Sequence, residues 1–320
     1  MKTDNSKIWL VGAGPMAVEY AKVLTAMKTG FTVIGRSQKS AGEFAAKTGI
    51  EAVTGGVERF ASGGRETIPA TAIVCVSAEG LASAAKTLIS SGVKRILVEK
   101  PAALSRVEVR DLLDTASRHT AEVFVAYNRR FYSSVMAAEN IVREDGGATS
   151  FHFEFTELSH IVEKVAKADE VKKKWFLANS THVVDLAFYL GGKPSEISCY
   201  TSQELTWHPS AAVFAGGGVS ETGALFSYHA DWTSPGRWGV EIMTKNRRII
   251  LKPLEELHVQ KKGSFTAEKI EIADHLDKTY KPGLFKQCEE FMSGPVIRLK
   301  NLGEQAADMD IYFKMSNYRE

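Results

Sequence analysis

A short apolar run that ends in two glycines constrains this chain more than any other stretch. Residues 8–17 read Ile-Trp-Leu-Val-Gly-Ala-Gly-Pro-Met-Ala, and a helix-compatible stretch continues to Met27. The order is strand, tight turn, helix. Gly12 permits the sharp turn, Gly14 leaves room for a ligand to approach the backbone, and a small third residue lets helix and strand pack closely.

This turn is suited to the phosphates of a dinucleotide. The first turn of a helix leaves backbone N–H groups without partners, and the positive end of the helix dipole lies beside them. A turn with a purely structural role is the alternative. The pattern predicts phosphate contacts from the following residues: Gly12, Gly14, Pro15, Met16 and Ala17.

Length and composition are those of an ordinary globular protein. The 320 residues suffice for two domains, and 40 basic and 38 acidic side chains are interspersed along the chain. This pattern argues against nucleic acid as a partner. Three distant cysteines, no secretory leader and no long apolar run predict a cytoplasmic protein without a cysteine-based metal site or a membrane span.

The end of the second predicted strand, Phe31–Ile34, bears on which dinucleotide binds. An NAD-binding fold usually places an acidic residue there for the ribose 2'-hydroxyl, but this chain has Gly35-Arg36-Ser37. A guanidinium can hold phosphate oxygens with two parallel hydrogen bonds. Arg36, Ser37 and, as a further candidate, Lys39 therefore favour NADP over NAD, with a solvated loop as the alternative and NAD as a possible cofactor.

Apolar runs alternate with helical patterns through the first 126 residues. Strands at 51–53, 72–76, 95–98 and 123–126 complete a six-stranded doubly wound parallel sheet, which we predict as an NAD(P)-binding domain over residues 1–126. Ligands of such sheets bind at the carboxyl ends of the strands. Ser77 follows the fourth strand and is therefore predicted to contact the cofactor.

The fifth strand runs directly into Glu99-Lys100-Pro101. A lysine at the carboxyl end of a central strand is placed near the nicotinamide, and the proline stiffens the turn that holds it. We expect Glu99 and Lys100 beside the cofactor, with Lys100 as the acid/base group. A surface lysine that pairs with Glu99 is the alternative.

Residues 127–320 predict a second, α+β domain for substrate binding and oligomerisation. Its alternating runs indicate strands at 150–155, 196–202, 211–214, 223–229, 239–244, 248–251 and 257–259. Two amphipathic helices, 283–292 and 304–315, are expected to pack on the sheet or on the first domain. Because an open sheet face needs cover, we expect a homodimer or a higher homo-oligomer through this sheet.

A short helix in the second region, 181–190, carries His182 and Asp185 on one face. His182 at the helix start can exchange protons in a cleft, or it can be a core histidine satisfied by Asp185. Asn179 and Thr181 are hydrogen-bonding candidates beside it. Asn128, Arg129 and Tyr132 follow the sixth strand and are expected to bind substrate, although Arg129 and Arg130 must point in different directions.

Four of these motifs together resemble one known family. The chain has Gly-Ala-Gly-Pro-Met-Ala at 12–17, Val-Glu-Lys-Pro at 98–101, Tyr-Asn-Arg-Arg-Phe at 127–131 and Thr-His-Val-Val-Asp-Leu at 181–186. Their order and spacing are similar to those of the glucose-fructose oxidoreductase / inositol dehydrogenase (Gfo/Idh/MocA) family. The resemblance covers essentially the whole chain.

The resemblance implies a Rossmann domain followed by an α/β domain with a large, open, mostly antiparallel sheet. It also implies NAD(P)-dependent hydride transfer at a hydroxyl or carbonyl carbon of a sugar, cyclitol or sugar nucleotide, with proton transfer by Lys100 and His182. Two positions depart from the family pattern. Ala178 stands where many members have aspartate, and Ala82 stands where many have histidine.

These departures make inositol-type polyol dehydrogenases a poorer match than the sugar-nucleotide branch. Two other functions stay open. One is an NAD-dependent glycoside hydrolase or lyase that uses transient oxidation. The other is a non-catalytic NADP sensor, which would fit the absent aspartate.

Overall fold

The computed structural model describes residues 7–62 and 68–319. Residues 1–6, 63–67 and 320 lie outside these ranges. The chain divides into two compact units, the first formed by residues up to Tyr127 together with Leu284–Met309, and the second by Asn128–Gly283 together with the residues from Asp310 onward.

The strands, in chain order, are β1 (Lys7–Val11), β2 (Gly30–Ile34), β3 (Ala52–Val53), β4 (Thr71–Val74), β5 (Arg95–Glu99), β6 (Glu122–Ala126), β7 (Ser150–Phe155), β8 (Pro194–Ser202), β9 (Val213–Ser220), β10 (Leu225–Asp231), β11 (Trp238–Met243), β12 (Arg247–Leu251), β13 (His258–Lys261), β14 (Ala267–Lys269) and β15 (Lys300–Asn301).

The α-helices are α1 (Pro15–Ala26), α2 (Gln38–Thr48), α3 (Gly56–Ser62), α4 (Leu81–Ser90), α5 (Arg106–Arg118), α6 (Ser133–Glu144), α7 (Ser159–Val162), α8 (Asp169–Lys173), α9 (Thr181–Gly191), α10 (His275–Thr279), α11 (Leu284–Ser293) and α12 (Leu302–Ser316). None of the helices in the described part of the chain has the length and apolar character needed to cross a membrane.

The first unit is built on a sheet with strand order β15-β6-β5-β4-β1-β2-β3. The first six strands of the chain pair in parallel, as the apolar runs predict, while β15 pairs antiparallel with β6. Strands β1, β4 and β5 are buried on both faces, which is typical of a sheet covered by helices. The predicted Rossmann-type sheet is confirmed, with β15 as an unpredicted addition.

The second unit is built on a sheet with strand order β14-β13-β12-β11-β7-β10-β9-β8. All its pairings are antiparallel except that of β7 with β10. Along β7, Phe151, Phe153 and Phe155 are buried, and α9 packs on this strand. The predicted open, mostly antiparallel sheet is confirmed.

Strand β9 begins close to the predicted strand 211–214 but runs on to Ser220. Its Gly216-Gly217-Gly218 segment gave no strand signal because glycine is depleted in strands. Glycine is required here by close backbone packing, since a Cβ on Gly217 would lie 2.5 Å from the Phe226 carbonyl oxygen. The prediction ended β9 too early for this reason.

Candidate functional site

A cavity of about 290 Å³ lies in the first unit beside the carboxyl ends of β1, β2 and β4. We call it the first cavity. It is lined by Val11, Gly12, Ala13, Gly14, Ile34, Arg36, Ser40, Gly56, Val57, Glu58, Cys75, Val76, Ser77, Gly80 and Ala84. Four of the predicted cofactor contacts are therefore brought together, namely Gly12, Gly14, Arg36 and Ser77.

Gly12 is required by the fold itself. It has a φ of +127°, and its N–H donates to the Ile34 carbonyl oxygen at 2.9 Å. A Cβ on Gly12 would lie 2.7 Å from the Cys75 carbonyl oxygen. Any larger residue would be strained in its backbone and would also clash with the end of β4.

Gly14 differs from Gly12 because nothing within the protein excludes a side chain there. Its backbone is at φ −91° and ψ −171°, which any residue adopts, and a Cβ would meet no atom within 4 Å. A methyl group at residue 14 would therefore occupy open space. The absence of a side chain at Gly14 leaves room beside the backbone for a ligand.

The N-terminus of α1 is also suited to an anion. Gly14 is its N-cap, Pro15 occupies the first turn, and no side chain of the described residues caps it. Ala17 is fully buried and lets α1 pack closely on the sheet. The backbone N–H groups of the first turn, such as that of Met16, are therefore available to phosphate oxygens.

The side chains after β2 divide into two roles. The Ser37 hydroxyl accepts a hydrogen bond from the Ser40 N–H at 3.2 Å and so caps α2. Arg36 and Ser40 line the first cavity, and so does Glu58 of α3. Ser40 and Glu58 were not predicted from the sequence. Their only signal was a position just after β2 and β3, at the carboxyl edge of the sheet.

Glu99 and Lys100 are at the carboxyl end of β5 and are half-buried. The Tyr20 hydroxyl of α1 donates to Glu99 Oε1 at 2.7 Å. Burial and the neighbouring charge of Glu99 raise the pKa of Tyr20 well above its usual value, so Tyr20 keeps its proton at neutral pH and donates a hydrogen bond. The same two causes raise the pKa of the buried Cys75 thiol, which stays protonated.

His182 lies in the first turn of α9 and is buried, with 7% of its surface exposed. Asp185, one turn later, is engaged by a different residue. Arg130 Nε donates to Asp185 Oδ2 at 2.8 Å, and an Arg130 terminal nitrogen donates to Oδ1 at 2.7 Å. The His182 ring centre lies 6.3 Å from that of Trp238.

A buried carboxylate that no sequence motif indicates lies beside the start of α9. Glu157 is 6% exposed, and it accepts hydrogen bonds from Asn179 Nδ2 at 3.0 Å and from the Ser180 hydroxyl at 2.7 Å. Glu157 follows β7 by two residues. That position at a strand end was the only signal, because Asn179 is 22 residues away in sequence.

A second cavity, of about 350 Å³, lies within the second unit. Two indoles and several aliphatic side chains form most of its wall, and Glu157, Asn179 and Arg237 supply polar groups. The complete lining is Thr156, Glu157, Leu158, Ile161, Val162, Val165, Trp175, Asn179, Gly236, Arg237 and Trp238. Of the predicted substrate contacts, Asn179 is in this wall.

The other predicted substrate contacts lie in the same unit but outside this lining. The guanidinium carbon of Arg129 lies 4.7 Å from the centre of the Trp238 ring, which is a cation–π distance. Asn128 Nδ2 donates to the Pro282 carbonyl oxygen at 2.9 Å, and the Thr181 hydroxyl donates to the Leu177 carbonyl oxygen at 2.9 Å. Tyr132 is buried, and burial raises its pKa. Asn128, Thr181 and Tyr132 therefore have structural contacts.

The described residues contain no group of three or more His, Cys, Asp or Glu side chains that could hold a metal ion.

Comparison with known proteins finds a family model that matches the first part of the chain. Residues 6–127 match the GFO_IDH_MocA family, described as an oxidoreductase family with an NAD-binding Rossmann fold. No curated protein sequence matches the chain.

Solved structures share the fold over nearly the whole chain. UDP-N-acetylglucosamine 3-dehydrogenase GnnA from Acidithiobacillus ferrooxidans has 14% identity and a TM-score of 0.75, covering 97% of this chain and 96% of its own. Levoglucosan dehydrogenase in complex with NADH and levoglucosan has 18% identity and a TM-score of 0.78, with coverages of 97% and 96%. WlbA dehydrogenase from Chromobacterium violaceum, in complex with NADH and UDP-GlcNAcA, has 14% identity and a TM-score of 0.72, with coverages of 98% and 94%.

Proposed function

We propose that this chain is an NAD(P)-dependent oxidoreductase that transfers a hydride between nicotinamide and a hydroxyl or carbonyl carbon of a sugar or sugar-nucleotide-like substrate, because residues 6–127 match an oxidoreductase family with an NAD-binding Rossmann fold. The observation that carries the proposal is the open space beside Gly14, above an α1 N-terminus without a side-chain cap.

The first cavity would hold the pyrophosphate and the adenosine ribose of a dinucleotide. The pyrophosphate would bind the N–H groups of the α1 first turn, and Ser77 would contact the cofactor from the end of β4. Arg36 would bind a ribose 2'-phosphate, with Ser40 beside it on α2 and Ser37 holding the start of that helix. We prefer NADP as the cofactor on these grounds.

Bound nicotinamide supplies the hydride chemistry, and the protein supplies orientation and a route for the proton. Lys100 Nζ would take the proton of the substrate hydroxyl during oxidation or return it during reduction. Its ammonium form would stabilise the developing alkoxide. Positioned acid/base catalysis of this kind contributes about two to four orders of magnitude in rate.

The second cavity would hold the substrate in the second unit. The C–H faces of a sugar ring can pack on Trp175 and Trp238, and its hydroxyl groups can bond to Glu157 and Asn179. His182 lies beside the same Trp238 ring and would exchange a proton with the substrate. Glu157 would supply the carboxylate that the family pattern places at residue 178.

Two features favour a sugar nucleotide within this class. Arg237 of the cavity wall and Arg129 beside Trp238 offer cationic groups for phosphate or carboxylate oxygens. Two of the structures with the same fold are described as acting on UDP-N-acetylglucosamine or as holding UDP-GlcNAcA. The second cavity also weighs against a sensor without a substrate, because such a sensor would need no substrate cavity.

The open sheet of the second unit is the proposed dimer surface. Tyr200 of β8 and Leu225 of β10 expose 69% and 62% of their surfaces. Burial of exposed apolar side chains of this size by a second copy would be favourable. Light scattering at micromolar concentration should give twice the monomer mass, and a monodisperse monomer would contradict this part of the proposal.

A thermal-shift screen tests the proposal even while the substrate is unidentified. Ligands that bind the folded state raise the melting temperature by mass action. NADPH should raise it more than NADH at equal concentration. Sugars and sugar nucleotides should then be screened with NADPH present, and no further rise with any of them would argue for cofactor binding alone.

The Lys100→Met variant tests the proton route. It should lose at least about a hundredfold in turnover on the substrate found by the screen. Its NADPH affinity should stay within about threefold of the wild type, because Lys100 is not among the described residues that line the first cavity. Unchanged turnover would remove Lys100 from the mechanism.

A further inference from the structure

The turn that carries Lys100 is held on both sides by hydrogen bonds, one partly buried and one buried. On one side, the Tyr20 hydroxyl donates to Glu99 Oε1 at 2.7 Å. On the other side, Gln305 Nε2 of α12 donates to the Pro101 carbonyl oxygen at 3.1 Å. Within the turn, the Ala102 N–H donates to the Glu99 carbonyl oxygen at 3.0 Å.

Gln305 is itself fixed from its other end. Its side chain has no solvent exposure, and its Oε1 accepts a hydrogen bond from the Tyr127 hydroxyl at 3.1 Å. A buried primary amide whose donor and acceptor are both used has one favourable orientation, because rotation would leave buried polar atoms without partners. Gln305 therefore connects the end of β6 to the Pro101 carbonyl in a defined geometry.

A buried ion pair extends this network. Lys300 of β15 is fully buried, and its Nζ lies 2.6 Å from Asp308 Oδ2 on α12. The same Nζ lies 4.8 Å from the centre of the Tyr127 ring. Separation of the two partners of such a pair would leave a buried charge without its counter-ion, which is costly. The pair therefore holds β15 and α12 at a fixed distance beside Tyr127.

We propose that Gln305 is a positioning residue for Lys100, which it fixes through the Pro101 carbonyl oxygen. This inference rests on the proposed role of Lys100 in proton transfer. The segment from β15 into α12 returns to the first unit and supplies a rigid support behind the turn that carries the acid/base group. Such support matters because misplacement of a reacting group by about 1 Å costs up to about a hundredfold in rate.

The role of Gln305 has no signal in the sequence because its partners are distant along the chain. Gln305 follows Pro101 by 204 residues and lies in an amphipathic helical pattern, where a glutamine looks like an ordinary surface residue. The antiparallel pairing of β15 with β6 brings this segment beside β6. The C-terminal segment thus contributes a hydrogen bond to the proposed catalytic turn.

The test measures Lys100 directly and needs no substrate. Competitive labelling with acetic anhydride over a pH series, followed by peptide mass spectrometry, gives the rate and the pH midpoint of Lys100 modification. Gln305→Met removes both hydrogen bonds and keeps a similar length. Gln305→Glu keeps the acceptor for Tyr127 but removes the donor to Pro101. Gln287→Met is the matched control, because Gln287 is equally buried but has no hydrogen-bond partner among the described residues.

Both Gln305 variants should change the Lys100 labelling rate by about tenfold or shift its pH midpoint, while Gln287→Met should change neither. NADPH affinity should stay near the wild-type value in all three. Turnover of the Gln305 variants should fall in kcat more than it rises in KM, because the turn is misplaced after substrate binds.

The inference is overturned if Lys100 labelling is unchanged in both Gln305 variants, or if Gln287→Met has the same effect. Should Gln305→Met fail to fold, Gln305→Glu alone decides the question. Failure of the proposed function gives a different result. In that case Lys100→Met would retain turnover, while the labelling of Lys100 would still depend on Gln305.

Discussion

Both carboxylate oxygens of Asp185 accept hydrogen bonds from Arg130, at 2.8 and 2.7 Å, in a pair whose side chains are 2% and 8% exposed. The guanidinium carbon of Arg130 lies 4.7 Å from the centre of the Tyr189 ring, so this ring covers the guanidinium as well. The adjacent Arg129 instead lies over Trp238. The two neighbouring arginines therefore have different surroundings. Arg130 is ion-paired in the core of the second unit, and Arg129 lies beside the second cavity.

The first prediction concerns this ion pair. Arg130→Leu should lower the free energy of unfolding by about 3–5 kcal/mol, because it leaves the Asp185 charge buried. Arg248→Leu is the control, since its pair with Glu241 is partly exposed and should cost about 1 kcal/mol or less. Denaturant unfolding, monitored by tryptophan fluorescence, measures the free energy of unfolding of both variants. Equal costs for the two variants would contradict the assignment.

The second prediction separates the two glycines of the phosphate turn. Gly12→Ala should destabilise the first unit strongly, since its Cβ would clash with the Cys75 carbonyl. Gly14→Ala should stay within about 0.5 kcal/mol of the wild type but lose at least about tenfold in NADPH affinity. Thermal unfolding with and without NADPH measures both effects. A Gly14→Ala variant with full NADPH affinity would show that the open space is not a phosphate site.

The third prediction concerns the choice between NADPH and NADH. Loss of a charge-assisted contact to the 2'-phosphate is worth about 1.5–3 kcal/mol. Arg36→Ala should therefore weaken NADPH binding by about ten- to a hundredfold and leave NADH nearly unchanged. Lys47→Ala is the control, because Lys47 is a basic residue in the last turn of α2 and is not among the described residues that line the cavity. If Arg36→Ala weakens both cofactors equally, Arg36 does not read the 2'-phosphate.

The fourth prediction is a pH dependence set by His208. This residue is fully buried, and burial lowers its pKa to about 4. Its Nδ1 lies 2.7 Å from the Ala211 carbonyl oxygen, so Nδ1 carries the proton. Its Nε2 then accepts from the Tyr318 hydroxyl at 2.7 Å, while the Tyr318 oxygen accepts from the Phe176 N–H. A second proton on His208 would disrupt this chain.

Because the unfolded chain binds this proton near pH 6.5 and the folded chain only near pH 4, stability is lost as the pH falls through that window. The loss is about 3 kcal/mol for a shift of this size. His208→Gln should be less stable at pH 7 but should show a flatter profile between pH 7 and 4. Urea unfolding at several pH values measures this, with the exposed His229→Gln as control. Parallel profiles for His208→Gln and wild type would contradict the prediction.

The fold was predictable because local patterns agree with it at most positions. The apolar runs of β1, β4 and β5 and the alternation of β7 identify both sheets. The exceptions have tertiary causes. Strand β15 has only two residues and exists through its pairing with β6, and the glycines of β9 are set by the proximity of neighbouring strands.

The site was predictable where function depends on backbone geometry and less so where it depends on distant side chains. The positions of Gly12, Gly14 and Arg36 at the first cavity could be predicted because they follow from one strand-turn-helix unit and the next strand end. Glu157 and Gln305 could not, since their partners are 22 and 204 residues away. Ser37 was predicted beside the cofactor, and the structure shows its hydroxyl capping α2 while Ser40 lines the cavity.

The most direct test of the central claim is a titration of the wild-type protein with NADPH. Binding is monitored through the fluorescence emission of the reduced nicotinamide ring. We predict saturable binding of one NADPH per chain with a Kd between about 1 µM and 1 mM, and displacement by NADP⁺. A signal that stays linear up to about 1 mM NADPH, with no displacement by NADP⁺, would contradict the proposed cofactor site.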